Sequence, residues 1–285
     1  MRAVARALPQ LEPLAAAFAA ALRGKGRVIY VGAGTSGRLG ALDAAELPPT
    51  FGIPPSRVRA LLAGGARALR SAVEGAEDDD AGGASAIRHA RVDRADLVIG
   101  LSASGRTPFV LGALREARRR GARTALVTSN PGATATVDLR AVLDTGPELL
   151  AGSTRLKAGT ATKMALNAVS TAALMSLGKV YAGRMVDVRP TNHKLRARAL
   201  EMVVELTGLG AAAARRLLAD AGGSPKVALA MHLGGRSRRE AEAALAERTL
   251  GEIAQWPRLG PARPGAGKRP QPVRGADVRH ERRRH

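Results

Sequence analysis

The stretch VIYVGAGTSGRLGALDAAELPPTFG, residues 28–52, decides the fold. It opens with four apolar residues, Val28 to Val31, a run that reads as a buried strand. The loop Gly32-Ala33-Gly34-Thr35-Ser36-Gly37 follows, and then a short helical run. Pro48-Pro49 is expected to end that run, because proline lacks the amide hydrogen and crowds the preceding turn. A strand, a tight loop and a helix start aim unpaired N–H groups at one spot, where the helix dipole adds positive potential. The spacing also fits G-x-G-x-x-G, a dinucleotide fingerprint that is weak alone. A dinucleotide site needs an acidic residue about twenty positions on to hold the ribose. Between Glu46 and Glu74 there is no Asp or Glu. Thr35 and Ser36 put two hydroxyls in the loop, which suits a compact phosphomonoester better than NAD.

Working outward, the same pattern returns. Residues 57–62 read as a second strand, 66–74 as helical, and 74–80 as an acidic cluster, followed by a helix near 81–90. Residues 96–101 form an apolar strand that runs into Ser102-Ala103-Ser104-Gly105-Arg106-Thr107-Pro108. Pro108 suits the first turn of a helix that reaches about residue 120. Strands are expected at 124–128 and 141–145. A third loop, Gly152-Ser153-Thr154-Arg155-Leu156-Lys157, opens a long helix ending near 177. With a helix over 3–22, this alternation predicts an α/β fold: a three-layer, doubly wound parallel sheet. Ligands of such sheets bind beyond the carboxyl ends of the strands, where the hydroxyl-rich loops lie. Helical periodicity alone continues over 196–207, 211–221, 225–233 and 238–253. The expected organisation is a catalytic domain at 1–195, a small helical domain at 196–256, and a basic tail at 257–285.

Composition narrows the function classes. The chain has 285 residues, enough for a sizeable core, and no cysteine. That excludes disulfides and thiolate chemistry and fits a cytoplasmic protein. Five histidines are scattered without metal-ligand spacing, so no metal is expected. No run approaches the roughly eighteen apolar residues of a membrane span. The formal charge of +21 suggests nucleic acid, but aromatic residues make up only 2%, leaving no stacking platform. Part of the excess sits in the Pro/Gly/Arg-rich tail, which reads as disordered. No specific nucleic-acid partner is expected.

Several segments together resemble the N-acetylmuramic acid 6-phosphate etherases, which carry a sugar isomerase (SIS) domain. They are VGAGTSGRLGALDAAELPPTFG, VEGAEDD, GLSASGRTP, GSTRLKAGTATK, LGKVY and MVDVRPTNHKL, in order from 31 to 195. Members of that family usually carry a longer segment ahead of the first helix, and the basic tail is not a family feature. The resemblance implies a cofactor-free lyase that splits the D-lactyl ether of the sugar phosphate, giving N-acetylglucosamine 6-phosphate and D-lactate. It also implies a homodimer whose sites draw on both chains. On the family pattern Glu46 protonates the leaving lactate and Glu77 takes the C2 proton. Asp78 to Asp80 are expected to raise the Glu77 pKa by like-charge repulsion. Gly34, Thr35, Ser36, Ser102, Ser104 and Thr107 are assigned to phosphate and sugar hydroxyls, with Lys157, Asn192 and Lys194 as further contacts. The plainer alternatives are surface carboxylates for the two glutamates and helix capping for the hydroxyls. A non-catalytic sugar-phosphate regulator and a sugar-phosphate isomerase are the competing functions on the same fold.

Overall fold

A computed structural model describes residues 1–187 and 193–255. They divide into two units, Met1–Lys179 and the described part of Val180–His285. The first unit is built on five parallel strands: β1 (Val28–Gly32), β2 (Val58–Leu62), β3 (Leu97–Leu101), β4 (Arg123–Thr128) and β5 (Leu139–Val142). Their order is β2-β1-β3-β4-β5. Strands β1 and β3 are buried along their whole length. A sheet covered on both faces demands this, and it explains why both read as unbroken apolar runs.

Five helices cover the sheet: α1 (Arg2–Arg23), α2 (Gly34–Phe51), α3 (Asp80–His89), α4 (Pro108–Arg119) and α5 (Lys157–Ser176). Helices α1, α2 and α5 pack together on one face, and α3 packs on α4 across the other. Alternation along β1 divides its side chains accordingly. Ile29 and Val31 join the α3/α4 core with Val110 and Leu114, while Tyr30 turns to Phe18 of α1. Glycines set how closely the layers approach. A Cβ on Gly83 of α3 would lie 2.0 Å from the Phe109 carbonyl of α4, and one on Gly112 would lie 2.1 Å from the Asp80 carbonyl. A buried clamp joins the strand starts. Asp96, 3% exposed, accepts from the Arg27 backbone N (2.8 Å), from Arg27 Nη2 (2.5 Å) and from the Asp93 amide (3.2 Å).

The structure differs from the sequence expectations at three places in this unit. Helix α2 passes through Pro48-Pro49 and ends at Gly52, which is left-handed (φ 68°) and donates to the Pro48 carbonyl. Two prolines remove two amide donors, but their fixed φ is helical and the Pro48 carbonyl still accepts. Residues 66–74 form no helix beyond one 3-10 turn, Gly65–Leu69, held by Arg38 donating to the Ala68 carbonyl at 2.8 Å. Strand β5 lies two to three residues earlier than expected.

The described residues of the second unit form a short hairpin, β6 (Val180–Tyr181) with β7 (Arg184–Met185), and five helices. These are α6 (His193–Thr207), α7 (Ala211–Asp220), α8 (Pro225–Gly234), α9 (Arg238–Glu247) and α10 (Leu250–Gln255). The single helix expected over 238–253 is two. Thr249 and Glu252 cap α10 reciprocally: the Thr249 amide donates to Glu252 (2.6 Å) and the Glu252 amide to Thr249 Oγ1 (3.3 Å). Residues 257–285, expected as a disordered tail, lie outside the described residues.

Candidate functional site

The strand order reverses between β1 and β3, which pair with Gly32 opposite Leu101. The two hydroxyl-rich loops therefore leave neighbouring strands at the switch point, where open α/β sheets bind ligands. In the first loop Gly32 and Gly37 stand back to back: a Cβ on Gly37 would lie 2.6 Å from the Gly32 carbonyl. Gly34 takes φ +50°. The glycine spacing thus brings the α2 N-terminus onto the end of β1. The N-cap of α2 is Ala33, with no side-chain capping bond, so neither Thr35 nor Ser36 caps this helix.

In the second loop Ser102 is buried, and its Oγ lies 2.8 Å from Thr107 Oγ1 and 3.4 Å from Ser104 Oγ. Thr107 is the N-cap of α4 without a side-chain capping bond. Ser104 is exposed and accepts from the Arg106 amide at 3.2 Å. Asn130, just after β4, buttresses the loop, donating to the Ser104 carbonyl at 2.8 Å. Gly105, at φ +68°, presses against Ala133, where an added Cβ would come within 2.5 Å.

The third loop joins the first. A Cβ on Gly159 of α5 would lie 3.4 Å from Thr35 Cγ2, so the start of α5 stands beside the first loop. Lys157 is exposed at the first position of α5. Glu148, which sequence reasoning did not single out, closes this helix end. It accepts the Lys157 and Ala158 amides at 2.9 Å each, and those bonds hold its carboxyl below the usual carboxylate range.

Glu77 is exposed in a 3-10 turn, Ala76–Asp78, on the connection from β2 to α3. Two of its acidic neighbours are engaged locally. Asp79 accepts the Gly82 amide at 2.7 Å as the N-cap of α3, and Asp80 pairs with Arg115.

Glu46 lies elsewhere. Its place in sequence, after the first loop and just before Pro48-Pro49, suggests a position near the carboxyl end of β1. Twelve residues beyond Gly34, it stands roughly 18 Å down the axis of α2. That exceeds the reach of one hexose 6-phosphate seated at the first loop. Glu46 lines a groove of about 400 Å³ between α2 and α5, with Asp43, Lys163, Asn167, Ser170 and Thr171. Asp43 is 3% exposed and accepts from the Tyr30 hydroxyl (2.7 Å) and Ser170 Oγ (3.2 Å). Burial pushes its carboxyl up, while the Tyr30 bond, Lys163 and Ser170 pull it back. The α5 residues recur at helical spacing on one face, a signal present in the sequence but mute without the partner helix.

Asn192 lies outside the described residues, and Lys194 is exposed in the first turn of α6 in the second unit. Among the described residues no helix is long and apolar enough to cross a membrane.

A model of the glucokinase regulatory protein N-terminal SIS domain matches residues 13–118. The N-acetylmuramic acid 6-phosphate etherase of Deinococcus radiodurans is 52% identical over 243 residues, covering 85% of this chain and 80% of the relative. Its counterpart in Geobacillus thermodenitrificans is 51% identical over 233 residues, covering 81% and 79%. That of Synechocystis is 51% identical over 249 residues, covering 86% and 81%. Identity at this level, sustained over most of both chains, means that the chain belongs to the N-acetylmuramic acid 6-phosphate etherase family.

Proposed function

We propose that this chain cleaves the D-lactyl ether of N-acetylmuramic acid 6-phosphate by elimination and water addition, as a carbon–oxygen lyase in cell-wall sugar recycling. The observation that carries the reading is that two hydroxyl-rich loops leave the adjoining ends of β1 and β3, where the strand order reverses. First-turn amides of α2 and the Thr35, Ser36, Ser102, Ser104 and Thr107 hydroxyls would hold the phosphate and sugar. Lys157, Asn192 and Lys194 are proposed as outer contacts.

In the open-chain aldehyde the C2 proton is acidic. Glu77 takes it, and the electron pair becomes an enolate. The enolate collapses to a C2–C3 double bond and expels lactate from C3. Glu46 gives the departing oxygen its proton. Water then adds at C3, passing a proton back to Glu46, and C2 is reprotonated. A pair of carboxyl groups in opposite protonation states is the ordinary equipment for such a sequence. The depth of Glu46 along α2 supports a composite site, in which one copy supplies the loops and Glu77, and a second copy supplies Glu46. The functional unit is then a homodimer.

The decisive assay is D-lactate release from N-acetylmuramic acid 6-phosphate. Glu77→Gln should abolish both release and exchange of the C2 hydrogen with heavy water. Glu46→Gln should block release and still permit exchange. Each loss should be about 10²–10⁴-fold. Mixing the two inactive variants should restore about a quarter of wild-type activity, since half of random dimers are mixed and each has one intact site of two. Full release in both variants would remove these residues from the chemistry. The match to a regulatory protein's domain favours a second reading, sugar-phosphate binding without turnover. Tight binding with no lactate from wild type would select it, and isomerised hexose phosphate would select the isomerase.

A further inference from the structure

We propose that the α2–α5 groove is the seat of the lactyl arm, with Lys163 holding its carboxylate. This rests on the etherase reading and goes on to say what makes the site select a lactyl ether.

The chemistry of the arm sets the requirement. Its carboxylate carbon is bonded to the carbon that bears the ether oxygen. A proton donor for that oxygen and a cation for that carboxylate must therefore be neighbours. The groove supplies the pair, Glu46 from α2 and Lys163 from α5. Lys163 is half-buried, and its Nζ donates to the neutral Asn167 Oδ1 at 2.8 Å. An ammonium has three N–H donors, so two remain for a ligand. Among the described residues Lys163 has no ion pair within 4.0 Å. The acid behind it, Asp43, has each carboxylate oxygen engaged, one by Tyr30 and the other by Ser170. A lysine held beside a buried acid yet not locked to it is a cation available to an incoming anion.

The remaining lining matches the rest of the arm. Leu42 and Leu47 offer an apolar wall for the methyl group, and Thr171 a hydroxyl at the rim. Other cations near the sheet edge are placed differently. Arg38 is turned to the Ala68 carbonyl, and Lys157 is exposed at the first position of α5, outside the groove lining.

The test compares two substrates, N-acetylmuramic acid 6-phosphate and its lactyl primary amide, which is the same arm without the charge. Wild type should prefer the carboxylate. Lys163→Met should lose on the order of 10–100-fold in kcat/KM on the carboxylate substrate, the worth of one hydrogen bond to a charged group, mostly through KM. The carboxylate-over-amide preference should collapse. Lys163→Arg, which keeps a cation, should retain most of the preference. Binding of N-acetylglucosamine 6-phosphate, which has no lactyl arm, reports folding and phosphate-loop integrity in the Met variant. An unchanged preference in Lys163→Met, or equal losses on both substrates, overturns the assignment. A wild type that releases neither lactate from the acid nor lactamide from the amide overturns the etherase reading and this inference with it, so the two failures are told apart by wild type alone.

Discussion

Replacing Tyr30 by Phe deletes one hydroxyl beneath the groove and nothing else. The ring remains buried beside Phe18, with centroids 6.5 Å apart. What disappears is a 2.7 Å bond to Asp43, an acid 3% exposed. A hydrogen bond to a charged group is worth about 1.5–3 kcal/mol, and one to a neutral partner about 0.5–1.5 kcal/mol. The cost of Tyr30→Phe should therefore depend on pH through Asp43. Burial raises that carboxyl above its ordinary value of 3.8, and the Tyr30 bond pulls it down. An acid with a raised folded pKa contributes fully below its unfolded value and gives up stability as pH climbs through the folded one. Removing the hydroxyl raises the folded pKa further, so the variant gives up more over that climb. The deficit should be near the neutral figure around pH 4 and near the charged figure at pH 7. At about 2–4 °C per kcal/mol for a domain of this size, the neutral-pH loss is roughly 3–12 °C in Tm. Urea unfolding of both proteins from pH 4 to pH 8 reads the difference, in which titrations common to both cancel. A deficit that stays constant with pH, or shrinks as pH rises, would refute the ionised Tyr30–Asp43 pair.

Ser104→Ala should weaken phosphorylated-sugar binding by about 1–3 kcal/mol and hardly touch the unphosphorylated sugar, as calorimetry would show; equal losses remove Ser104 from the phosphate site. Gly83→Ala drives a methyl to 2.0 Å from the Phe109 carbonyl, so α3 and α4 must part, at about 1–3 kcal/mol or more in chemical unfolding. Asp96→Ala strips the acceptor from Arg27 and should cost about 3 kcal/mol, the low end for a broken buried pair because the arginine keeps some solvent. Glu148→Gln should destabilise the start of α5 at neutral pH. A carboxyl with a lowered folded pKa stabilises above its unfolded value, so the gap from wild type should close as pH falls through the carboxylate range.

The strands were legible in the sequence because a doubly covered sheet leaves no polar alternation, and β1 and β3 are apolar throughout. The glycine loop was legible for a related reason: only glycine at 32 and 37 lets strand and helix touch there. The break between α9 and α10 was equally available, since Thr249-Leu-Gly-Glu252 carries the capping-box spacing that Ser237-Arg-Arg-Glu240 shows at the start of α9. The residues 66–74 could not be read this way. Their composition suits a helix, but after one turn the chain is held by the Arg38 contact from α2, far away in sequence.

The helical rise from Gly34 to Glu46 carries the largest consequence for the site. Read as a helix stop, Pro48-Pro49 would end α2 just beyond Glu46 without moving it, because twelve helical residues separate it from Gly34 either way. In the structure the helix continues to Phe51, and Glu46 rides on its lower half against α5. The loops follow the carboxyl ends of β1 and β3, Glu77 lies on the connection from β2 to α3, and the second carboxyl sits in a groove with its own cation, down the flank of the helix. Both halves have the chemistry that the proposed elimination needs, yet the rise of an α-helix separates them by more than one sugar phosphate. A second copy is the arrangement that joins them without unwinding α2. The mixed-variant experiment therefore tests the geometry as directly as it tests the chemistry.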